Sequence, residues 1–175
     1  LLKDIDKPLF KDYWERLNKS LEYMSKKKQR TCIRLTIIKG TNDVDADKYA
    51  GLIMKANPDF IEVKGYMHIG ASRERLSIKE MPWHEDVVEF SKDLMKYLPD
   101  YEIVTEHVPS RVVMIAKKKF KKGNKWFTWI DFDRYHELTN SGKDFGTGDY
   151  LKPTPEVGMS GRITKKEAEN KRIIN

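Results

Sequence analysis

The stretch DFIEVKG, Asp59 to Gly65, is decisive for the fold because an acidic and a basic residue interrupt an otherwise apolar strand. Ile61 and Val63 suit the buried side of a sheet, whereas Glu62 and Lys64 would share the opposite side. Charged side chains in a protein interior must be paired, hydrogen-bonded or directed into a wet cavity. The strand therefore indicates either a ligand-filled interior or a structural ion pair.

The preceding strand also carries polar side chains on one side, as the Asp59–Gly65 strand does. TCIRLTIIKG, Thr31 to Gly40, places apolar residues on one side and Arg34 and Thr36 on the other. If the two strands are neighbours, these side chains and those of Glu62 and Lys64 face one shared space. An ion pair between Arg34 and Glu62 is the structural alternative. We favour a cavity, because functional sites in α/β folds gather at the carboxyl ends of parallel strands.

Helices alternate with strands through the first part of the chain. Apolar residues at three- and four-residue steps predict helices from Leu9 to Lys28, from Asp45 to Ala56 and between Pro82 and Pro99. A third strand is predicted from Tyr101 to Val108. This order predicts an α/β fold in which the strands pair in parallel.

The alternation of helices and strands ends after the third strand. Arg111–Lys119 and Trp126–Phe132 are predicted to form an antiparallel hairpin around a Lys-Lys-Gly-Asn turn. The first domain would then span residues 1–138, including the hairpin at 111–132. Residues 139–175 are rich in Gly, Asp and Pro, and they are predicted to form an irregular, partly mobile tail.

The loop after the Asp59–Gly65 strand is longer than a connection to the next helix requires, which is typical of a functional segment. Arginine side chains in such a loop can hold phosphate groups through forked hydrogen bonds. The alternative is an exposed loop whose charges neutralise one another. The candidate ligand-binding residues of this loop are Tyr66, His68, Ser72, Arg73 and Arg75.

A basic and aromatic cluster occupies the predicted hairpin. Lysines that neutralise phosphates, together with aromatic rings that stack on bases, are typical of a nucleic-acid contact. A solvated turn beside core aromatic residues is the alternative. We interpret the lysines as RNA contacts, and Trp126 and Trp129 as core residues. The cluster contains Lys117, Lys118, Lys119, Phe120, Lys121, Lys122, Lys125, Trp126, Phe127 and Trp129.

Composition limits the possible functions. Among 175 residues, 34 Lys and Arg exceed 27 Asp and Glu, and the resulting net charge of +7 favours a polyanionic partner. No apolar run reaches the roughly 18 residues of a membrane span. Cys32 is the only cysteine, which excludes an intrachain disulfide and a thiolate metal centre within this chain and favours a reducing, cytoplasmic setting. No metal-ligand spacing occurs, and the start at Leu1 is interpreted as a cut point.

Four segments, taken in order, are distinctive: RLTIIKGTND (34–43), NPDFIEVKGYMHIG (57–70), MPWHEDVVEF (81–90) and DYEIVTEHVPSRVVMIAKKKF (100–120). WFTWIDFDRYHEL and DYLKPTP extend the series to about Pro155. Together these segments resemble the tRNA 4-demethylwyosine synthase family of radical S-adenosylmethionine enzymes.

The resemblance implies the C-terminal half of a partial (β/α)₆ radical S-adenosylmethionine barrel, followed by an antiparallel hairpin extension. The family enzyme, a lyase, holds S-adenosylmethionine and a [4Fe-4S] cluster at the carboxyl ends of its strands. It condenses pyruvate with N1-methylguanosine in tRNA-Phe. An electron donor, either a flavodoxin-like domain or a separate protein, is a further implied partner.

The resemblance also implies roles for individual residues. Lys64 would hold a carboxylate or form an imine with pyruvate, as lysines with a lowered pKa can, although a lysine outside this chain is equally eligible. Lys64 and Glu62 are thus the predicted catalytic residues, and Arg34, Thr36 and Glu62 the predicted cofactor contacts. The predicted substrate and tRNA contacts are His68, Ser72, Arg73, Arg75, Arg111, Lys118, Lys119, Lys121 and Lys122.

The chain departs from the family where the iron–sulfur cluster is concerned. The CxxxCxxC motif is absent, so this chain alone is expected to lack radical chemistry. A catalytically inactive, tRNA-binding remnant is therefore the alternative function. The sequence Glu156-Val157-Gly158 also differs from the Trp-Ala pair that the family usually has there.

Overall fold

A four-stranded mixed sheet organises the computed structural model, which describes residues 2–154. Its strand order is β1-β2-β4-β3. The strands are β1 (Cys32–Ile37), β2 (Phe60–Gly65), β3 (Tyr101–His107) and β4 (Val112–Lys117). The helices are α1 (Leu2–Ile5), α2 (Tyr13–Ser25), α3 (Ala46–Ala56), α4 (His84–Met95) and α5 (Phe132–Asn140).

Parallel pairing extends only to the first two strands. β1 and β2 are parallel, as predicted, but β4 lies between β2 and β3 and is antiparallel to both. The predicted pairing of Arg111–Lys119 with Trp126–Phe132 is therefore wrong. A 3₁₀ turn at Val108–Ser110 reverses the chain after β3, and Arg111 then takes a left-handed conformation with φ +51°. The apolar β4 thus forms a hairpin with the preceding strand β3 and pairs with β2 on its other side, instead of pairing with a later strand.

The expected hairpin is shorter than predicted. β5 (Lys121–Lys122) and β6 (Lys125–Trp126) pair antiparallel around a two-residue turn, in which Gly123 has φ +58°. Glycine takes this positive φ without steric cost. A second ribbon joins β7 (Trp129–Ile130) to β8 (Leu151–Lys152). We call the segment from Lys118 to Thr154 the extension.

The predicted tail contains regular structure as far as the description reaches. Asp131 caps α5, since its carboxylate accepts a hydrogen bond from the Arg134 N–H at 3.1 Å. A 3₁₀ helix at Thr147–Tyr150 then leads into β8, so short regular elements occur within the segment that was predicted to be irregular. The remainder of the predicted tail, residues 155–175, lies outside the described residues.

The main core lies between one face of the sheet and the helices α3 and α4. Ile61 and Val63 are fully buried there, which confirms the assignment of the apolar side of β2. Burial of each such side chain contributes roughly 1.5–3 kcal/mol to folding. The other fully buried large residues of this core are Ile37, Ile53, Val87, Leu94, Leu98, Val113 and Ile115.

A second core lies on the opposite face of the sheet, at the end where β2 begins. Phe60 stacks on Phe120 with ring centroids 4.7 Å apart, and Ala116, Trp126 and Leu151 complete the cluster. Because Phe120, Trp126 and Leu151 belong to the extension, the extension covers this end of the face. The other end of the same face carries the charged residues of β1 and β2.

Arg30 contacts both the sheet and the extension and helps to hold them together. Its guanidinium lies 4.6 Å from the Phe60 ring centroid and 5.8 Å from that of Phe120, and it donates a hydrogen bond to the Thr128 carbonyl. Burial lowers the pKa of Arg30 from its ordinary value. The contact therefore combines cation–π attraction with a backbone hydrogen bond.

Candidate functional site

Four polar side chains of β1 and β2 lie on the face of the sheet that α3 and α4 do not cover. The parallel register sets Arg34 opposite Glu62 and Thr36 opposite Lys64. Because cross-strand neighbours share a face, the four side chains form one patch. We call these four residues the polar row. The predicted convergence of charged groups on one face is thus confirmed.

The predicted ion pair is also present within the polar row. Arg34 Nη2 lies 2.8 Å from Glu62 Oε2, and Arg34 Nε donates to the same oxygen at 2.9 Å. The Arg34 side chain is 60% exposed and that of Glu62 is 17% exposed. The ion pair that was the structural alternative is therefore present, with its arginine exposed, whereas the favoured ligand-filled cavity stays a prediction.

Lys64 is the member of the polar row that this ion pair does not explain. Among residues 2–154, its ammonium group has neither a hydrogen-bond partner nor an ion-pair partner. Its side chain is half-buried, and in the sheet it stands between Thr36 on β1 and Val112 on β4. A half-buried cation without a carboxylate is a suitable anchor for an anionic ligand.

The turn after β1 fixes the end of the strand that carries Thr36. The Asn42 amide donates to the Thr36 carbonyl at 2.9 Å, and its oxygen accepts from the Ile38 N–H at 2.6 Å. Lys39 then bonds both carboxylate oxygens of Asp86 on α4, at 2.9 and 3.0 Å. Side-chain bonds thus hold the carboxyl end of β1 against the helix layer.

The loop after β2 is held by its own hydrogen bonds. The Tyr66 hydroxyl is 3.1 Å from His68 Nδ1 and 3.1 Å from the Ser72 hydroxyl, which donates to the Ile69 carbonyl at 2.5 Å. Arg73 Nε donates to the His68 carbonyl at 3.1 Å. His68, Ser72 and Arg73, predicted together as ligand contacts, therefore form one connected group at the end of β2.

The arginines of the predicted contact set differ in position. Arg75 is exposed, and its Nη1 donates to the Ile5 carbonyl at 3.3 Å. Arg111 is buried, donates to the Pro82 carbonyl, and lies 5.0 Å from the Trp83 ring centroid. Arg111 thus joins the start of β4 to the start of α4, and its contact with tRNA stays a prediction.

The predicted RNA-binding lysines fall into two groups. Lys119 pairs with the carboxylate of Asp59 at 2.6 Å, and Lys121 pairs with that of Glu102 at 2.6 Å. Lys118 and Lys122 are exposed and have no carboxylate partner within residues 2–154. Lys119 and Lys121 therefore stabilise the fold, whereas Lys118 and Lys122 are available to bind a polyanion.

Two tryptophans that were predicted as core residues have different surroundings. Trp126 is half-buried against the second core, as predicted. Trp129 is 51% exposed, so its prediction as a core residue is wrong. The strand alternation behind the prediction fails because β6 and β7 are separate two-residue strands, and the register does not continue between them.

His84 and His107 both form side-chain hydrogen bonds. His84 is buried and its Nε2 is 2.9 Å from Glu106 Oε2, while His107 Nδ1 is 2.7 Å from the Ser110 hydroxyl. Between residues 2 and 154, no group of three or more His, Cys, Asp and Glu side chains is arranged to hold a metal ion. Within the same range, no helix is long and apolar enough to cross a membrane.

Comparison with known proteins identifies the class. Residues 55–117 match the family model for wyosine base formation, and this segment contains β2, the loop, α4, β3 and β4. The S-adenosyl-L-methionine-dependent tRNA 4-demethylwyosine synthase of Oryza sativa subsp. japonica is 47% identical over 163 residues, covering 91% of this chain. The human enzyme is 42% identical over 185 residues, covering 97% of this chain.

Two solved structures of TYW1 also resemble this chain. A structure of TYW1 with a lysine–pyruvate adduct bound is 33% identical, with a TM-score of 0.56 over 66% of this chain. The crystal structure of archaeal TYW1 is 30% identical, with a TM-score of 0.51 over 66% of this chain. The chain therefore resembles proteins of the wyosine base formation class in both sequence and fold.

Within that class, the chain matches the tRNA 4-demethylwyosine synthases over nearly all of its own length, and the predicted resemblance is confirmed. It spans 25% of the length of the rice and human relatives and 36% of the archaeal TYW1 chain. The matching portion is thus smaller than the half that the sequence suggested.

Proposed function

We propose that this chain forms part of an S-adenosylmethionine-dependent tRNA 4-demethylwyosine synthase, a lyase that condenses pyruvate with N1-methylguanosine in tRNA-Phe. The observation that carries the proposal is the polar row, which gathers an ion pair and a lysine without a partner among residues 2–154 on one face of the sheet. The names of the relatives support the tRNA substrate and the S-adenosylmethionine dependence. The inactive-remnant alternative rests on the missing CxxxCxxC motif and gains no further support from the relatives.

The sheet is proposed to be one wall of the partial (β/α)₆ barrel. β1 and β2 supply the parallel strands, and β1 is an edge of the described sheet, so its outer hydrogen-bonding groups are available to a further strand. The face with the polar row would then point into the barrel, while the extension closes the end near Phe60. Charged residues at the carboxyl ends of parallel strands are typical of barrel active sites.

The polar row has donor and acceptor groups that fit S-adenosylmethionine. Arg34 suits the carboxylate of its amino-acid part, and Glu62 suits an ammonium or a ribose hydroxyl. The Thr36 hydroxyl can both donate and accept. When bound, S-adenosylmethionine supplies the carbon radical that removes hydrogen from the substrate methyl group. The residues of this chain would bind and orient it.

The described residues do not fit an iron–sulfur cluster. Cys32 is the only cysteine of the chain, and residues 2–154 contain no other group of ligands for a metal. Cluster ligands and the electron donor therefore have to come from outside this chain. No step of the reaction is assigned to a cluster held by these residues.

Lys64 is proposed to bind the carboxylate of pyruvate. Its ammonium group is the member of the polar row that has no partner in the described range, so a ligand carboxylate would supply the missing charge. The lysine–pyruvate adduct of a related structure makes an imine on Lys64 a second possibility. Both roles need the amine at this position.

Replacing Lys64 with methionine in the complete protein tests the proposal. We expect the KM for pyruvate to rise about 10- to 100-fold, the effect of losing one charge-assisted hydrogen bond. The measurement is the amount of 4-demethylwyosine formed in N1-methylguanosine-containing tRNA-Phe, read by nucleoside mass spectrometry. Lys79→Met is the matched control, because Lys79 is exposed on the neighbouring loop.

Two results distinguish a failure of the proposed role of Lys64 from a failure of the proposed activity. Unchanged pyruvate dependence in Lys64→Met would overturn the role of Lys64. Absence of 4-demethylwyosine with the wild-type protein, S-adenosylmethionine, reductant and both substrates would overturn the proposed activity and favour the remnant. Reductive trapping with cyanoborohydride, followed by peptide mapping, then shows whether pyruvate becomes attached to Lys64.

A further inference from the structure

An exposed tryptophan on the extension remains without a function in the folded chain. Trp129 is opposite Lys152 in the β7–β8 ribbon, and Ile130 is opposite Leu151. Because paired residues share a face, the ribbon has an inner face of Ile130 and Leu151 and an outer face of Trp129 and Lys152. Leu151 packs against the second core, which fixes the outer face towards solvent.

The backbone that carries Trp129 is firmly held. The Thr154 N–H donates to the Trp126 carbonyl at 2.8 Å, and the Asp131 N–H donates to the Tyr150 carbonyl at 2.8 Å. Between these bonds, the hydroxyls of Thr128 and Thr154 are 2.9 Å apart. The indole is therefore presented by an ordered ribbon, so little ordering entropy is lost when a ligand stacks on it.

The sequence leading to Trp129 is strongly basic, although Lys119 and Lys121 are paired with Asp59 and Glu102. Residues 117–131 contain six lysines and a single acidic residue, Asp131, whose carboxylate caps α5. Lys122 and Lys125 are directly opposite each other in the β5–β6 hairpin. Like charges in this arrangement destabilise a ribbon, and an anion bound between them would remove that repulsion.

We propose that Trp129 is a stacking platform for an unpaired base of the tRNA, with Lys122, Lys125 and Lys152 binding the adjoining phosphates. The inference rests on the proposed function and adds a binding surface to it. Sequence-specific proteins read RNA mostly at single-stranded loops, where unstacked bases stack on aromatic side chains. RNA fits better than a protein partner, because lysine is depleted in protein–protein interfaces.

The test is the affinity of the complete protein for tRNA-Phe, measured at several salt concentrations. We expect Trp129→Leu to weaken binding about 5- to 100-fold, the loss of one base stack. The factor should be similar at every salt concentration, because stacking is not an ionic contact. Lys152→Gln should instead reduce the slope of log affinity against log salt by about 0.7–0.9. Trp129→Phe, which keeps a stacking ring, should bind within about threefold of the wild type.

Tyr97→Leu is the matched control, because Tyr97 is 47% exposed but follows α4 on the opposite side of the sheet. Its affinity should equal that of the wild type, and the thermal unfolding of all variants is compared to detect misfolding. Wild-type affinity in Trp129→Leu would overturn the platform alone. Failure of the wild-type protein to bind tRNA would overturn both the platform and the proposed function.

Discussion

Gly65, the last residue of β2, lies where three structural elements meet. A Cβ atom at this position would be 3.1 Å from Pro82 Cγ, 3.2 Å from Arg111 Cβ and 3.3 Å from Val87 Cγ2. Pro82 and Val87 are fully buried, so neither can move aside easily. The absence of a side chain at Gly65 therefore lets the end of β2 pack against α4, next to Lys64.

Gly65→Ala is expected to destabilise the protein by about 1–3 kcal/mol, the usual effect of overpacking a core. Gly51→Ala is the control, because Gly51 lies in α3 with no atom within 4 Å of an added Cβ. That change should leave stability unchanged or raise it by about 0.5–1 kcal/mol. Thermal unfolding of the complete protein measures both, and equal melting temperatures for the two variants would contradict the packing argument.

Tyr101 links β3 to Pro58, which lies just before β2. Its hydroxyl donates to the Pro58 carbonyl at 2.7 Å in a buried position. Burial, followed by the charges of Asp59 and Asp100, raises the pKa of Tyr101 well above its ordinary value of 10.0. The neutral phenol is therefore favoured in the folded state.

Because its pKa is raised, Tyr101 contributes to the free energy of unfolding by an amount that changes with pH in the alkaline range. It should be fully present below pH 10.0, the ordinary tyrosine value, and decline as the pH rises above it towards the folded-state pKa. Tyr101→Phe should cost about 1 kcal/mol near neutral pH through the lost hydrogen bond. Melting temperatures measured from pH 8 to 11 should converge for the two proteins, and a constant difference would contradict the assignment.

At the residue scale, the sequence predicted which side of a strand each side chain faces better than it predicted whether that side chain is buried. Alternation along β2 correctly separated Ile61 and Val63 from Glu62 and Lys64. The exposure of Trp129 could not be predicted in this way, because two-residue strands have no usable period. The surrounding basic residues were the signal that favoured exposure.

At the element scale, the two lysines that begin the extension differ although they are adjacent in the sequence. Lys119 pairs with Asp59, whose other oxygen accepts from the Thr31 N–H at 3.2 Å, so this lysine helps hold the start of β2. Lys118 is exposed without a carboxylate partner in the described range.

Lys119→Met should lower the free energy of unfolding by about 1 kcal/mol, a modest effect because the lysine is half-exposed. Lys118→Met should not change it, since no partner is lost. Thermal unfolding of both variants measures the difference. The assignment of Lys119 to the fold would be wrong if both variants melted at the wild-type temperature, or if Lys118→Met were the less stable one.

The elements themselves were predicted well, but their pairing was not. The helices α2, α3 and α4 begin and end near the predicted positions because their apolar periods are clear. The place of β4 was missed, since an apolar segment such as VVMIA fits next to either β2 or a later hairpin strand. The helix α5 was also missed, because its cap, Asp131, follows a run of aromatic residues typical of strands.

At the scale of the whole molecule, the two faces of the sheet have different functions. One face packs on α3 and α4 and forms the main core. The other face has the second core at one end and the polar row at the other. The extension thus closes one end of this face and leaves the charged end uncovered, where the proposed cofactor and pyruvate would bind.

The central claim is that the polar row binds S-adenosylmethionine, and equilibrium dialysis with labelled cofactor tests it most directly. We predict that Glu62→Gln in the complete protein weakens binding about tenfold or more, because a hydrogen bond to a charged group is lost. Glu89→Gln, an exposed position on α4, should bind as the wild type does. Equal affinities for Glu62→Gln and the wild type would contradict the account.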